Sequence, residues 1–282
     1  MGFNYKIMEQ YSTGAFQSPY DIRTFTYVPT TANVKGGERW VPEDIDNQHR
    51  VGICTGISTT MRAQKHYGIK FSADFQYLMQ KRSENNWDEG SSISTALKIG
   101  KNVGFLPYKE FPITEEDRKL PYADYIKKLQ AIPEAEIARF CVLAAKYKIK
   151  AYASVPVVRD VLANAIDETG PLQVRYSLDT EWYHPPIEPL RPSPKPTSGH
   201  AVNETNYDGG SFRIANSWGP LWADKGTAYH ILNDLAPTEA WSVWFEEVPK
   251  EIIVQIESRA SIVGKIMDLL QQIIVLVGKL AV

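Results

Sequence analysis

The sequence predicts an α+β protein whose helical first half and stranded second half share a cleft. Three observations carry this reading. Between residues 54 and 148 the apolar residues recur mostly at helical spacing. From Ile149 onward they mostly alternate, as in half-buried strands. A chain of 282 residues also has the length for one large domain or for two lobes sharing an interface.

Taken in order, residues 1–46 are turn-rich and extended. Tyr27-Val28-Pro29, Gly36-Gly37 and Pro42 break any helix there, and such a segment is expected to strap across the outside of a core. Residues 47–148 form the mainly helical part. A helix starts at Cys54 with Ile57, Met61 and Gln64 on one face, and Gly68 stops it. Ser72 is placed to cap a second helix carrying Phe75, Leu78 and Met79. Pro133 occupies a favoured first position before Glu134 in a segment that runs through Ala144 and Ala145. Cys141 falls on an apolar face of that segment and reads as a buried, inert thiol.

Residues 149–250 form the mainly β part. Ile149, Ala151 and Ala153 predict a strand, a short helix follows over 157–166, and Leu172, Val174 and Tyr176 alternate in a second strand. A hairpin over 200–216, a strand over 227–232 and another over 241–245 supply enough strands for a small antiparallel barrel or curled sheet. The proline-dense stretch 183–196 favours stiff polyproline II backbone. It is either a surface insertion or a rim beside His200.

In residues 251–282, Ile262, Ile266, Leu269, Ile273, Leu276 and Leu280 make a heptad seam, and Val263, Met267, Leu270, Ile274 and Val277 make a second one. A helix this apolar has to bury most of its girth. Self-association through 262–282 is the first reading, and packing on its own domain or on a partner protein is the second. Lys265 and Asp268 interrupt a stretch already short for about 30 Å of hydrocarbon, which argues against a membrane span.

With 31 basic and 33 acidic residues the chain shows no bias toward nucleic acid or anionic membranes. Residues 1–9 carry no apolar core flanked by basic residues, and the two cysteines offer no disulfide framework. A cytoplasmic location is therefore expected, with a viral particle or host cytoplasm also open. The five histidines lack metal-ligand spacing and no phosphate-binding glycine loop occurs, so neither a metal nor another cofactor is expected. The Asn203-Glu204-Thr205 sequon reads as accidental.

Chemistry concentrates in two stretches. A thiol at a helix N-terminus feels the positive end of the backbone dipole, which favours thiolate. Gln48, six residues before Cys54, can aim a side-chain N–H at the same spot. With the Cys54 backbone N–H it would make an oxyanion hole. Downstream, Ser198-Gly199-His200-Ala201-Val202 opens the hairpin, Asp208-Gly209-Gly210 turns it, and Ile214-Ala215-Asn216-Ser217-Trp218-Gly219 closes it. His200 and Asn216 thus face each other across two arms, and an asparagine carbonyl accepting an imidazole N–H fixes its tautomer. His49 could compete as a base, but nothing evident orients it.

Gln…Gly-x-Cys, Gly-His-Ala-Val and Asn-Ser-Trp-Gly-x-x-Trp, in this order over residues 40–245, resemble the papain-like (C1) cysteine peptidases. The likeness is closer to their compact bacterial and viral branch, in which Thr often follows the cysteine. Trp87-Asp88-Glu89-Gly90-Ser91-Ser92, leading into Ile93, Ala96, Leu97 and Gly104, resembles the segment after that family's catalytic helix. The resemblance implies a two-lobe fold, here with an added C-terminal helix, and hydrolysis of peptide or protein substrates. Cys54 would be the nucleophile, His200 the base and then acid, Asn216 its orienter and Gln48 the oxyanion donor. Trp218 would shield the His–Asn hydrogen bond, and Gly90, Ser91, Gly199 and Trp218 would line the substrate site.

Two departures stand out. Val51 replaces the family's disulfide cysteine, which removes a staple only. Thr55 replaces an aromatic and is expected to open space beside the nucleophile. Substrate preference is not carried over. The stretch before Gln48 is too short for a folded pro-domain, so any gate must be the leader or a loop. An idle binding scaffold of a larger assembly, and an acyl transferase or cell-wall amidase using the same triad, are the alternative functions.

Overall fold

Local signals account for the helices that build one wall of the cleft. The computed structural model describes residues 11–21, 24–28, 30, 40–178, 182–183 and 189–247. Helix α1 (Cys54–Tyr67) ends where Gly68 turns left-handed at φ 68°, as its sequence predicts. Ser72 caps α2 (Ala73–Glu84) by accepting the Phe75 N–H at 3.0 Å, and Ser92 caps α3 (Ile93–Asn102) in the same way through Thr95 at 3.1 Å. With α4 (Tyr122–Gln130) and α5 (Glu134–Ala144) they enclose a core around Ile57, Phe75, Leu78, Leu106, Phe111 and Phe140. Cys141 on α5 is only half-buried, not fully buried as its apolar surroundings in sequence suggested.

The other wall is one antiparallel sheet of six strands. β3 (Ile149–Ser154), α6 (Arg159–Thr169), β4 (Leu172–Leu178), β5 (Ser198–Tyr207), β6 (Phe212–Ala215), β7 (Thr227–His230) and β8 (Glu239–Phe245) follow in the chain. The sheet order is β3-β8-β4-β5-β6-β7. The architecture is therefore the expected α+β one. Strand β5 is buried on both faces. Ala201 and Asn203 face one way, and the Asn203 amide reaches Ser58 O of α1 at 3.0 Å. Val202 and Glu204 face the other way, where Tyr176 donates to Glu204 at 2.6 Å. So enclosed an Asn203 is no glycosylation acceptor, in keeping with the accidental sequon.

The two walls are stitched by buried polar groups. The Gln173 amide of β4 donates to Ser58 Oγ and Thr59 Oγ1 of α1, both at 2.7 Å, and Arg62 of α1 donates to Val243 O at 3.2 Å. Such bonds hold the two walls in register, because leaving any partner unpaired there is costly.

Residues 24–28 lie along β3, with Thr26 bridging Ser154. Residues 11–18 do not stay outside. Two short strands, β1 (Ala15–Phe16) and β2 (Ser91–Ser92), pair in parallel within the cleft. In the proline-dense stretch, Tyr183 leans on Trp218 at 5.1 Å and Leu190 N–H donates to Tyr229 O at 2.8 Å, while 184–188 lie outside the described residues. The chain divides into two compact units, Met1–Glu246 and Glu247–Val282. The helix predicted over 262–282 lies outside the described residues. Among the described residues no helix is long and apolar enough to cross a membrane.

Candidate active site

Cys54 is the first residue of α1. No side chain caps that helix end, so its free amide N–H groups and dipole bear on the thiol. The backbone N–H groups of Ala201, which directly follows His200, and of Gly14 lie close enough to the thiol to favour its charged form. The turn before the thiol has to be glycine: a Cβ on Gly52 would meet Thr13 O at 2.7 Å and Glu89 Cγ at 2.9 Å.

The hairpin delivers the imidazole. His200 Nε2–H donates to Asn216 Oδ1 at 2.7 Å, and the Ser217 N–H holds the same oxygen at 2.7 Å. This leaves Nδ1 as the basic nitrogen, and it is buried without a partner among the described residues. Trp218 is fully buried and stacks on the ring with centroids 4.7 Å apart.

Gln48 is held at both ends. Its backbone N–H donates to Ser217 O at 2.8 Å, and its side-chain oxygen accepts the Ser217 hydroxyl, so Nε2 is left pointing at the Ser12 carbonyl. The loop bearing it rests on buried Arg118, whose guanidinium donates to Asn47 O at 3.0 Å and pairs with Asp74 at 2.8 Å. Burial by itself lowers that guanidinium's pKa, but Asp74 and Asp46 together outweigh it and hold it well above the ordinary value. His49 Nε2 lies 3.4 Å from Glu115 Oε1 but makes no hydrogen bond among the described residues. Among the described residues no group of three or more His, Cys, Asp or Glu could hold a metal ion.

The cleft is filled by the chain's own leader. Ser12 O accepts from Gln48 Nε2 and, at 3.4 Å, from Trp218 Nε1. Gly14 N–H donates to Gly199 O at 3.1 Å, and Gly14 O accepts from Ser91 N–H at 2.8 Å. Arg175 Nε donates to Ala15 O at 2.8 Å, and Tyr11 stacks on Trp218 with centroids 5.2 Å apart. Gly90 (φ 97°), Ser91, Gly199 and Trp218, the expected lining residues, thus all border the segment that lies in the groove.

This cover changes the electrostatics expected of the site. Burial pushes the Cys54 thiol up to about 11 and the His200 imidazole down to about 4, so both rest neutral. No hydrogen bond joins sulfur to imidazole in this covered state. With both groups buried beneath the leader, the charged forms that the expected thiolate–imidazolium pair needs are disfavoured here. Thr55 is a second correction. Its side chain is buried with the hydroxyl on Gln80 Oε1 at 2.8 Å, so it faces α2 and opens no space in the cleft. Ser12, Gly14, Glu89, Arg118, Arg175 and Ser217 were not singled out from the sequence. Ser217 was within reach there, as the middle residue of Asn-Ser-Trp.

The fold is that of the papain-like cysteine proteases. Among solved structures, xylellain, a cysteine protease from Xylella fastidiosa, is 24% identical at a TM-score of 0.69, covering 84% of this chain and 97% of its own. Procathepsin B S9 from Trypanosoma congolense is 14% identical at 0.61, covering 86% and 87% of the two chains. The cysteine protease and lectin-like domains of Cwp84, a surface layer associated protein of Clostridium difficile, are 14% identical at 0.62, covering 85% of this chain and 57% of that one. Neither the family models nor the curated proteins compared with the sequence match it.

Proposed function

We propose that this chain is a cysteine peptidase kept latent by residues 11–16 of its own leader. The observation that carries the reading is the buried pair His200–Asn216, 2.7 Å apart under Trp218, with the backbone of Ala201, the residue after His200, reaching the helix-terminal Cys54.

When the leader withdraws, water reaches both groups and the proton passes from Cys54 to His200 Nδ1. The thiolate attacks a peptide carbonyl carbon. The oxyanion is held by Gln48 Nε2 and the Cys54 N–H, a kind of donor whose loss typically costs about 10²–10³ in rate. His200 returns its proton to the amine as the C–N bond breaks, leaving a thioester on Cys54. Water then adds to the thioester with His200 as base, and the acid and the free thiol separate. Asn216 keeps the ring in one tautomer throughout.

The test is cleavage of unfolded casein by the wild-type chain, Cys54→Ala and His200→Ala, with fragments read by mass spectrometry. Both variants should lose all cleavage while keeping the wild-type circular dichroism. Casein fragments produced equally by Cys54→Ala would refute the reading. An intact fold with no cleavage under any activating condition would favour the idle scaffold.

A further inference from the structure

We propose that Glu89 selects substrates by charge, favouring lysine or arginine at the residue whose carbonyl Cys54 attacks; this rests on the peptidase reading above. Glu89 Oε1 accepts the Gly52 N–H at 2.7 Å, and Gly52 stands two residues before the nucleophile. The carboxylate is therefore fixed beside the oxyanion donors. The same oxygen accepts the Ser12 hydroxyl at 2.7 Å. Ser12 is also the residue whose carbonyl rests on Gln48 Nε2. A residue that places its carbonyl at Gln48 thus has Glu89 within reach of its side chain.

The charge on Glu89 is uncompensated. Among the described residues no lysine or arginine pairs with it. Lys81, beneath the same loop, is committed to Glu84 at 2.8 Å and to the carbonyls of Asp88 and Gly90. The side chain of Asp88, exposed beside it, adds a second negative charge. Across the cleft the Arg175 guanidinium loses Ala15 O when the leader leaves but keeps Ser177 and Thr238 on its own wall. Withdrawing the leader takes the Ser12 hydroxyl away and leaves Glu89 with one backbone N–H. A lysine or arginine there gains a charge-assisted bond at a partly exposed site, while a glutamate meets two carboxylates.

Peptidyl acyloxymethyl ketones with Arg, Leu or Glu next to the warhead test this on the full-length chain. In each the Cys54 thiolate displaces a carboxylate and forms a thioether, so the rate of adduct formation by intact mass needs no turnover. The fraction of open cleft is common to all probes and cancels in their ratios. The Arg probe should react about tenfold faster than the Leu probe and faster still than the Glu probe. In Glu89→Gln, which keeps an acceptor for the Gly52 N–H, the Arg/Leu ratio should fall to about one, and in Glu89→Lys the Glu probe should lead. Equal ratios in wild type and Glu89→Gln, with labelling still abolished by Cys54→Ala and His200→Ala, would overturn the proposal and leave the peptidase reading standing. No labelling of Cys54 by any probe would overturn both.

Discussion

The N–H of Gly14 donates to the carbonyl oxygen of Gly199, 3.1 Å away and one residue before the imidazole-bearing His200. Through this bond and the one from Ser91 to Gly14 O, the leader takes up main-chain donors and acceptors on both walls of the cleft. Its seat removes Cys54 and His200 from water together, and the properties below follow from that.

Latency should depend on pH at the alkaline end. In the covered state Cys54 is raised to about 11 and keeps its proton, while His200, lowered to about 4, is neutral. Opening only moves that proton from sulfur to imidazole, so near neutrality the two states hold equal numbers of protons and pH does not shift the balance. The open pair releases the shared proton at a lower pH than covered Cys54 does, so the open state then binds fewer protons and the leader's seat weakens as pH rises toward 11. Exchange protection of the Gly14 amide, corrected for its intrinsic rate, should fall there. Flat protection from neutral pH up to 11 would contradict it.

Asn216→Ala should leave the fold intact and lower kcat/KM by on the order of 10²-fold, since the imidazole then populates the wrong tautomer. Kinetics on casein-derived peptides, with the chain first opened, measure this. Unchanged kcat/KM would mean that the 2.7 Å bond is structural only.

Arg118→Met should cost about 3–5 kcal/mol, because it strands the buried Asp74 without its counter-charge. The midpoint of urea unfolding should fall accordingly. Arg118→Met with Asp74→Leu should recover part of the loss. A single variant as stable as wild type would remove Arg118 as the anchor of the Gln48 loop.

The residues proposed as nucleophile, base, orienter and oxyanion donor, Cys54, His200, Asn216 and Gln48, stood out in the sequence because each is a distinctive residue type in a distinctive neighbourhood. The helix start at Ser72 and the stop at Gly68 follow from capping chemistry alone. The leader's seat was not legible: Tyr11 to Phe16 show no periodicity, and Gly14 fits because it lacks a Cβ. Arg118 was hidden in Glu115-Glu116-Asp117-Arg118-Lys119, which reads as a solvated charge run, yet a tight turn buries that one guanidinium completely. Glu89 gave no signal either, since its role comes from Gly52 and Ser12, both distant in sequence.

Gly14→Val in the full-length chain gives the most direct test of the nucleophile and its latency. A Cβ at Gly14 would lie 2.7 Å from Gly52 O and 2.9 Å from Gly90 Cα, and neither backbone can yield, so the leader should leave the cleft. The initial rate of casein cleavage is then compared among wild type, Gly14→Val and Gly14→Val with Cys54→Ala. The single variant should be at least about tenfold faster than wild type and the double variant inert. A single variant whose Cys54 alkylates freely, yet which cleaves casein no faster than the double variant, would contradict the account.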